Sequence, residues 1–353
     1  MKSIHCVKLG SLTDPDESKR GRVATLEIPE DPVGAEDVKI KVAYCSICGS
    51  DPHNIEGAFG NTPPFGLGHE VSGVIVELGE RATRKGLKLG DRVAGNFLRF
   101  CGTCYYCRNG QEQFCEHADE SNRPGFSEYL VWHESQVFKL PDEVTLKQGC
   151  LTEPTSVIVR FMDKIAPKIG MRVLVSGGGP IGLLAIQALK MMGATALTVS
   201  EPIEERRQLA KRFGADFLID PVREDVYAAA MRITDGLGYD VVLDVSGARS
   251  AAPMLPRITA KGGILCLSAM FPNDYDLPLN LYTYCYRNEL TITGTYISPY
   301  AFPRAMQLLP RMDLEPFTSV VYGIDESEAA FEAQVSGKHV KILVLCNADL
   351  ADK

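Results

Sequence analysis

The sequence predicts an α/β protein with a doubly wound parallel sheet and a second domain, on three observations. Its 353 residues suggest two domains, at about 150 residues per domain. From residue 171 onward, short β-branched runs alternate with helical segments, which is the pattern of βαβ units. The glycine-rich turn GGGPIG separates the first of these strands from the first helix, and such turns bind phosphate at a helix N-terminus.

Composition and charge exclude several classes of partner. The 37 basic and 45 acidic residues give a net charge of −8, so neither nucleic acid nor an anionic membrane surface is expected to bind. The most apolar stretch, residues 181–199, is interrupted by Gln187, Lys190 and Gly193, unlike a membrane span. The opening MKSIHCVKLG lacks the apolar core of a signal peptide. We therefore expect a cytoplasmic protein.

Four of the eleven cysteines fall within fifteen residues, in CGTCYYCRNGQEQFC. They are Cys101, Cys104, Cys107 and Cys115. A closed set of four thiolates is what a structural zinc requires, and the reducing cytosol makes disulfides a poor explanation. An iron–sulfur cluster is the rival, because three cysteines at x2 intervals also suit one. We interpret the segment as a structural zinc loop.

A second set of candidate metal ligands is dispersed along the chain. The segments CSICGSDPH, GLGHE and LTEPTSV supply Cys45, Cys48, Ser50, Asp51, His53, His69, Glu70 and Glu153. Thiolate, imidazole and carboxylate are the ligand types of a catalytic zinc, which takes three from the protein and keeps one position open. Spacing alone does not choose between Cys45 and Cys48, or between Glu70 and Glu153.

The glycine-rich turn predicts a dinucleotide site. MRVLVS is a buried strand, LLAIQALKMMG is a helix, and the turn between them places Gly177, Gly179 and Gly182 at G-x-G-x-x-G spacing around Pro180 and Ile181. The first glycine permits the tight turn, the second lets the backbone approach a pyrophosphate, and the helix N-terminus offers N–H groups to its charge. The segments YDVVLDVSGA, GGILCLSA and ELTITGTY continue the sheet to six strands.

The next strand, ALTVSE, ends in an acid that indicates the cofactor. Glu201 lies 19 residues after Gly182, where a carboxylate accepts a hydrogen bond from a ribose 2′-hydroxyl. It would repel a 2′-phosphate, so we expect NAD rather than NADP. Arg206 and Arg207 complicate this choice. We keep Arg206 as a candidate cofactor contact, although on a helix both arginines could equally face solvent.

Together these motifs resemble the zinc-containing medium-chain alcohol dehydrogenases, most closely the polyol branch that includes sorbitol and butanediol dehydrogenases. Seven motifs carry the resemblance, in the family's order over essentially the full chain: CSICGSDPH, GLGHEVSG, the four-cysteine loop, GFSEY, LTEPTSV, VSGGGPIG and GKHVK. The resemblance implies a GroES-like, largely β catalytic domain from residues 1–155 and 296–353. It also implies a Rossmann NAD-binding domain at 156–295, an active cleft between the two domains, and a homodimer or homotetramer.

The resemblance also assigns the catalytic metal ligands. The cysteine before Gly-Ser-Asp is a ligand, which selects Cys48 and leaves Cys45 as a packing residue. His69 and Glu70 carry over as zinc neighbours. Glu153 stands where ethanol-oxidising members have cysteine, and reaches the metal directly or through water. Because Cys48 and Glu70 already balance the two charges of zinc, we expect Glu153 to bind only part of the time or through water.

Ser50 and His53 match the family's proton-relay positions. Together with Glu153, which stands beside the metal, they are the predicted catalytic residues. Two features depart from the family pattern. Ser268, in GGILCLSAMFP, replaces the glycine that usually ends this strand near the nicotinamide. The segment NDYDLPLNLYTYCYRNE is unusually rich in tyrosine, which suggests a subunit interface or an altered pocket.

We therefore predict a zinc-dependent oxidoreductase with two zinc ions per chain, one catalytic and one structural. It would transfer a hydride between a secondary alcohol (a polyol, vicinal diol or sugar alcohol) and NAD, giving a ketone. The nearest alternative is L-threonine 3-dehydrogenase-like oxidation of a 3-hydroxy amino acid. The alternative from another class is a non-catalytic NAD-binding redox sensor.

Overall fold

The computed structural model describes residues 1–82, 86–118 and 123–351, and the chain forms two compact units. The first unit comprises Met1–Ser156 together with Pro299–Lys353, and the second comprises Val157–Ser298. The described strands, in chain order, are β1 (Lys2–Lys8), β2 (Arg22–Glu27), β3 (Asp37–Ser46), β4 (Phe65–Gly66), β5 (Glu70–Leu78), β6 (Arg92–Gly95), β7 (Tyr129–His133), β8 (Val137–Lys139), β9 (Arg172–Ser176), β10 (Thr195–Ser200), β11 (Phe217–Ile219), β12 (Tyr239–Asp244), β13 (Thr259–Leu267), β14 (Thr291–Gly294), β15 (Val321–Gly323) and β16 (Leu343–Leu345).

The helices are shorter on average in the first unit than in the second. In chain order they are α1 (Ser50–Ile55), α2 (Tyr105–Arg108), α3 (Leu146–Gly149), α4 (Thr152–Ile165), α5 (Pro180–Met191), α6 (Glu204–Arg212), α7 (Val226–Ile233), α8 (Leu255–Ile258), α9 (Phe302–Leu308), α10 (Glu315–Thr318) and α11 (Ser327–Val335). A π-helical segment, Tyr282–Arg287, precedes β14.

The second unit is a doubly wound parallel sheet, as the sequence predicts. Its six strands run in the order β11-β10-β9-β12-β13-β14, and every neighbouring pair is parallel. The central β9 is a continuous buried run, Val173, Leu174 and Val175 being fully enclosed, which is the pattern of a sheet covered on both faces. The strand order reverses between β9 and β12, where such sheets bind ligands beyond the carboxyl ends of their strands.

The first unit is largely β. One sheet runs β15-β16-β3-β5-β6-β8, with β7 also pairing β3, and a smaller sheet runs β2-β1-β4. The central strand β3 brings distant segments together at one end. Its last residue, Ser46, pairs with Glu70 at the start of β5 and with Leu343 at the start of β16. This end of the sheet therefore gathers residues near positions 48, 70 and 341.

Candidate active site and metal centres

The end of the first unit's large sheet carries a set of metal-type ligands. Cys48 lies just beyond β3 and His69 lies directly before β5. Donor atoms of Cys48, His69 and Glu70 all lie within 4.8 Å of one another. Glu70 is buried, while Cys48 and His69 are partly buried. One sulfur, one imidazole nitrogen and one carboxylate oxygen form a donor set that fits zinc and leaves a fourth position open.

Asp51 ties the two ligand-bearing loops to each other. Its carboxylate accepts a hydrogen bond from the Cys48 N–H at 2.9 Å and one from the Gly68 N–H at 3.4 Å. It also lies 3.8 Å from Nδ1 of His69. Burial lowers the pKa of His69, but Cys48, Asp51 and Glu153 outweigh it and leave that pKa well above its usual value. Three acidic groups, those of Cys48, Asp51 and Glu153, therefore act on the His69 imidazole.

Lys341 forms a buried ion pair with Glu70. Their side chains are 3% and 1% exposed, and Nζ of Lys341 lies 2.6 Å from Oε2 of Glu70 and 2.7 Å from Oε1. Ser46 donates its hydroxyl to the same carboxylate. Burial alone would lower the pKa of Lys341, but the Glu70 carboxylate holds it above its ordinary value.

Sequence reasoning missed this lysine as a site residue. Its only signal is the closing motif GKHVK, which accompanies the cysteine and histidine motifs in the family's order. Buried charges are paired as a rule, so the carboxylate of Glu70 and the ammonium of Lys341 offset each other. The charge around the ligand set is therefore one unit less negative than the ligands alone suggest.

Glu153 lies beside this set but outside it. It is buried near the start of α4, yet no carboxylate oxygen of Glu153 belongs, among the described residues, to the group of donors within 4.8 Å of one another. Burial raises its pKa to about 7, against the opposing influence of His69. The carboxyl group is therefore close enough to His69 for an electrostatic interaction.

Ser50 and His53 lie together on α1, directly after Cys48. Ser50 begins the helix and is partly buried. The side chain of His53 is 49% exposed, and its Nδ1 lies 3.6 Å from Oε2 of Glu56. The helix therefore connects the neighbourhood of Cys48 to a solvent-exposed imidazole.

The four-cysteine loop is a second, closed set of donors. The sulfurs of Cys101, Cys104, Cys107 and Cys115 all lie within 4.8 Å of one another. Backbone N–H groups donate to these sulfurs, Cys104 to Cys101 at 3.3 Å and Cys101 to Cys115 at 3.4 Å. Hydrogen bonds from Thr103 are the main reason that the pKa of Cys101 is lowered to about 5. Burial, by contrast, raises the pKa of Cys107 to about 12. Four sulfurs that face one centre, with backbone amides donating to them, fit a structural metal.

The glycine turn of the second unit has the backbone geometry that a phosphate site needs. Gly177 has φ +103, in the left-handed region that favours glycine. A Cβ at Gly182 would lie 1.9 Å from the carbonyl oxygen of Gly177, whereas a Cβ at Gly179 would meet nothing within 4 Å. Gly182 thus allows close packing of helix and strand. Gly179 presents bare backbone to open space immediately before Pro180 begins α5.

Glu201 lies against this turn. Its carboxylate accepts hydrogen bonds from the Gly178 N–H at 2.6 Å and from the Ile203 N–H at 3.0 Å, and each oxygen retains capacity for a further bond. Arg207 does not face solvent, contrary to one of the two expectations for it. It is buried and donates to the Glu201 carbonyl at 2.6 Å. Arg206 is partly buried.

Comparison with known proteins identifies the family. Residues 34–142 match the Alcohol dehydrogenase GroES-like domain, and residues 180–311 match the Zinc-binding dehydrogenase domain. L-threonine 3-dehydrogenase of Pyrococcus furiosus is 35% identical over 323 residues, covering 88% of this chain and 92% of that protein. The chain belongs to the zinc-containing medium-chain alcohol dehydrogenase family. This dehydrogenase is also 34% identical to sorbitol dehydrogenase of Halalkalibacterium halodurans, over 92% of its own chain and 96% of the relative.

A solved structure supports the same assignment. A protein assigned as a zinc-binding dehydrogenase from Clostridium scindens superimposes with a TM-score of 0.89 at 32% identity, over 98% of this chain and 99% of that one. The predicted family and polyol branch, the GroES-like and Rossmann-like folds, and the alcohol oxidoreductase chemistry are thus confirmed. Among the described residues, no helix has both the length and the apolar character to cross a bilayer.

Proposed function

We propose that this dehydrogenase uses zinc and NAD to oxidise a secondary hydroxyl of a polyol, vicinal diol or sugar alcohol to a ketone. The observation that carries the proposal is the convergence of Cys48, His69 and Glu70 within 4.8 Å. These residues would hold the catalytic zinc, with Glu153 beside it. Zinc supplies Lewis acidity when bound, and can lower the pKa of a coordinated water from about 15.7 to about 7.

The surrounding residues set the charge of that site. With Cys48 as thiolate, the positive charge of Lys341 cancels one of the two negative charges of Cys48 and Glu70. An ionised Glu153 would then bring the protein charge to two negatives, equal to the two positive charges of zinc. Lys341 therefore supports a role for Glu153 as an anion beside the metal. Asp51 holds the loops of Cys48 and His69 at fixed separation.

Ser50 and His53 would move the substrate proton to solvent. Ser50 accepts the proton from the substrate hydroxyl at its Oγ and releases its own hydroxyl proton towards His53. His53 is half exposed and releases a proton to water from its imidazole. A positioned acid–base group accelerates a reaction by about 10²–10⁴-fold. The lowering of a pKa from about 15.7 to about 7 by zinc is a larger effect. The relay therefore mainly gives the proton a route to solvent.

The cofactor would lie along the carboxyl ends of the second unit's strands. The N–H groups around Gly177, Gly179 and Gly182 would bind the pyrophosphate, and NAD supplies the hydride acceptor. The Glu201 carboxylate, fixed by the Gly178 N–H at 2.6 Å, supports NAD over NADP because it would repel a 2′-phosphate.

The catalytic domain would comprise residues 1–155 and 296–353, and the NAD-binding domain residues 156–295.

A homodimer or homotetramer is supported by the π-helical segment before edge strand β14. There Leu281, Tyr282 and Tyr286 are 65%, 63% and 75% exposed, and exposed apolar side chains beside a sheet edge favour association. Cysteines suited to metal binding rather than disulfides support a reducing, cytoplasmic location.

Metal analysis and NADH formation test the proposal together. We expect two zinc ions per chain, one for each donor group, and NADH production on at least one of sorbitol, xylitol, the butanediols, L-threonine and sugar acids. Turnover restricted to L-threonine would favour the alternative suggested by the 35% identical L-threonine 3-dehydrogenase. NADH binding without turnover of any secondary alcohol would overturn the enzymatic proposal and favour the sensor.

A further inference from the structure

A small hydroxyl cluster lies at the carboxyl edge of the second unit's sheet. Ser268 directly follows β13 and Thr295 directly follows the neighbouring β14. Thr295 Oγ1 donates to Ser268 Oγ at 3.0 Å, and Cys266 Sγ lies 3.1 Å from the same oxygen. Both hydroxyl-bearing residues are partly exposed.

The position of the cluster assigns it to one half of a dinucleotide. The glycine turn and Glu201 follow β9 and β10, so that side of the sheet takes the adenosine half. A dinucleotide bound across the strand-order reversal then extends its other half over the ends of β12, β13 and β14. This step rests on the proposed NAD-dependent function, and it places Ser268 on the nicotinamide side.

A count of donors and acceptors shows which hydrogen-bonding capacity Ser268 has left. A serine hydroxyl has one proton and two lone pairs. Thr295 donates to one lone pair. Cys266 is buried, and either Cys266 Sγ or Ser268 Oγ can be the donor in the contact between them. When the Cys266 S–H donates to the second lone pair, the Ser268 proton is available to a ligand.

We propose that Ser268 donates a hydrogen bond to the carboxamide carbonyl of the nicotinamide ring, with Thr295 and Cys266 orienting its hydroxyl. The carbonyl is the ring substituent that accepts hydrogen bonds, and it is attached next to the carbon that takes the hydride. Fixing it therefore fixes which face of the ring is presented to the substrate.

The test compares ligands with and without that carbonyl, using the zinc-loaded protein. We expect Ser268→Ala to weaken NADH binding by about 3- to 10-fold, the effect of one neutral hydrogen bond, as measured by fluorescence titration. Affinity for ADP-ribose, which lacks the ring, should stay unchanged in calorimetry. The thionicotinamide analogue of NAD replaces the carbonyl oxygen with sulfur, a weak acceptor, and should bind the wild type and the variant alike.

Two further variants keep the test decisive. Thr295→Val preserves the shape of its side chain but removes the donor to Ser268, and should weaken NADH binding by less than Ser268→Ala does. Ser268→Gly removes the same hydroxyl and should weaken NADH binding as much as Ser268→Ala does, so it provides the measurement if Ser268→Ala folds poorly. Unchanged NADH affinity, or an equal loss for NADH and ADP-ribose, would overturn this role. Failure of the wild type to bind NADH would instead overturn the proposed function on which it rests.

Discussion

The four-cysteine loop and the Cys48–His69–Glu70 cluster lie in the same unit but draw on the chain in different ways. The loop takes all four sulfurs from fifteen consecutive residues, and neighbouring amides within the loop stabilise them. The cluster needs β3, β5 and the segment before β16, and its Glu70 pairs with Lys341, 271 residues away. A local site can form wherever its loop closes, whereas an assembled site depends on the register of the whole sheet. We therefore expect metal loss to affect mainly stability at the loop and mainly activity at the cluster.

The largest expected effect is at the assembled site. Cys48→Ala should remove one zinc ion per chain and lower kcat/KM by at least about 10³-fold, because the lost Lewis acidity is worth several kcal/mol. Metal analysis and NADH formation measure the two effects together. Cys45→Ala is the matched control, three positions away in a buried packing site, and should keep both zinc ions. Normal turnover by Cys48→Ala with one zinc ion missing would remove Cys48 from the active site.

The next effect concerns the partner that holds Glu70. Lys341→Met leaves a buried carboxylate without its counter-charge, and breaking a buried ion pair in this way costs about 3–5 kcal/mol. We expect a lower melting temperature of the metal-free protein, together with reduced kcat/KM. Lys341→Arg retains the charge and should recover most of both. If Lys341→Met were as stable and active as the wild type, the ion pair would contribute nothing to the assembly of the site.

The local site should show the opposite balance. Cys104→Ser should remove the other zinc ion and lower the melting temperature by roughly 5 °C or more, since structural zinc binding contributes directly to folding. At a temperature where the variant stays folded, kcat/KM should fall less than about tenfold. Cys285→Ala, at an exposed cysteine outside both clusters, is the control. A loss of turnover as large as that of Cys48→Ala would erase the distinction between the two sites.

The same difference explains what the sequence could predict. The cysteine loop and the glycine turn are read from spacing because their geometry is local. The resemblance named Cys48, His69 and Glu70, and the structure brings them together. Lys341 and the bridging role of Asp51 were not foreseen, because they depend on strand register and on contacts between loops. Helical periodicity alone could not predict that Arg207 is buried. Its hydrogen-bond partner is the carbonyl of Glu201, which lies in the loop after β10 and not on the helix itself.

The second unit allows a smaller test of the comparison between local and assembled sites. There the glycine turn is local, but it is contacted by the side chain of Glu201, which follows a different strand, β10. Glu201 is fixed on the turn by the Gly178 N–H. Glu201→Gln keeps a side-chain oxygen that can accept from that N–H but removes the charge that repels a 2′-phosphate. We expect the ratio of kcat/KM for NADP to that for NAD to rise about tenfold, the effect of about 1.4 kcal/mol. Glu201→Ala loses the contact as well and should weaken the use of both cofactors. Equally poor use of NADP by Glu201→Gln would show that this carboxylate supports the turn alone, and that cofactor choice is made elsewhere.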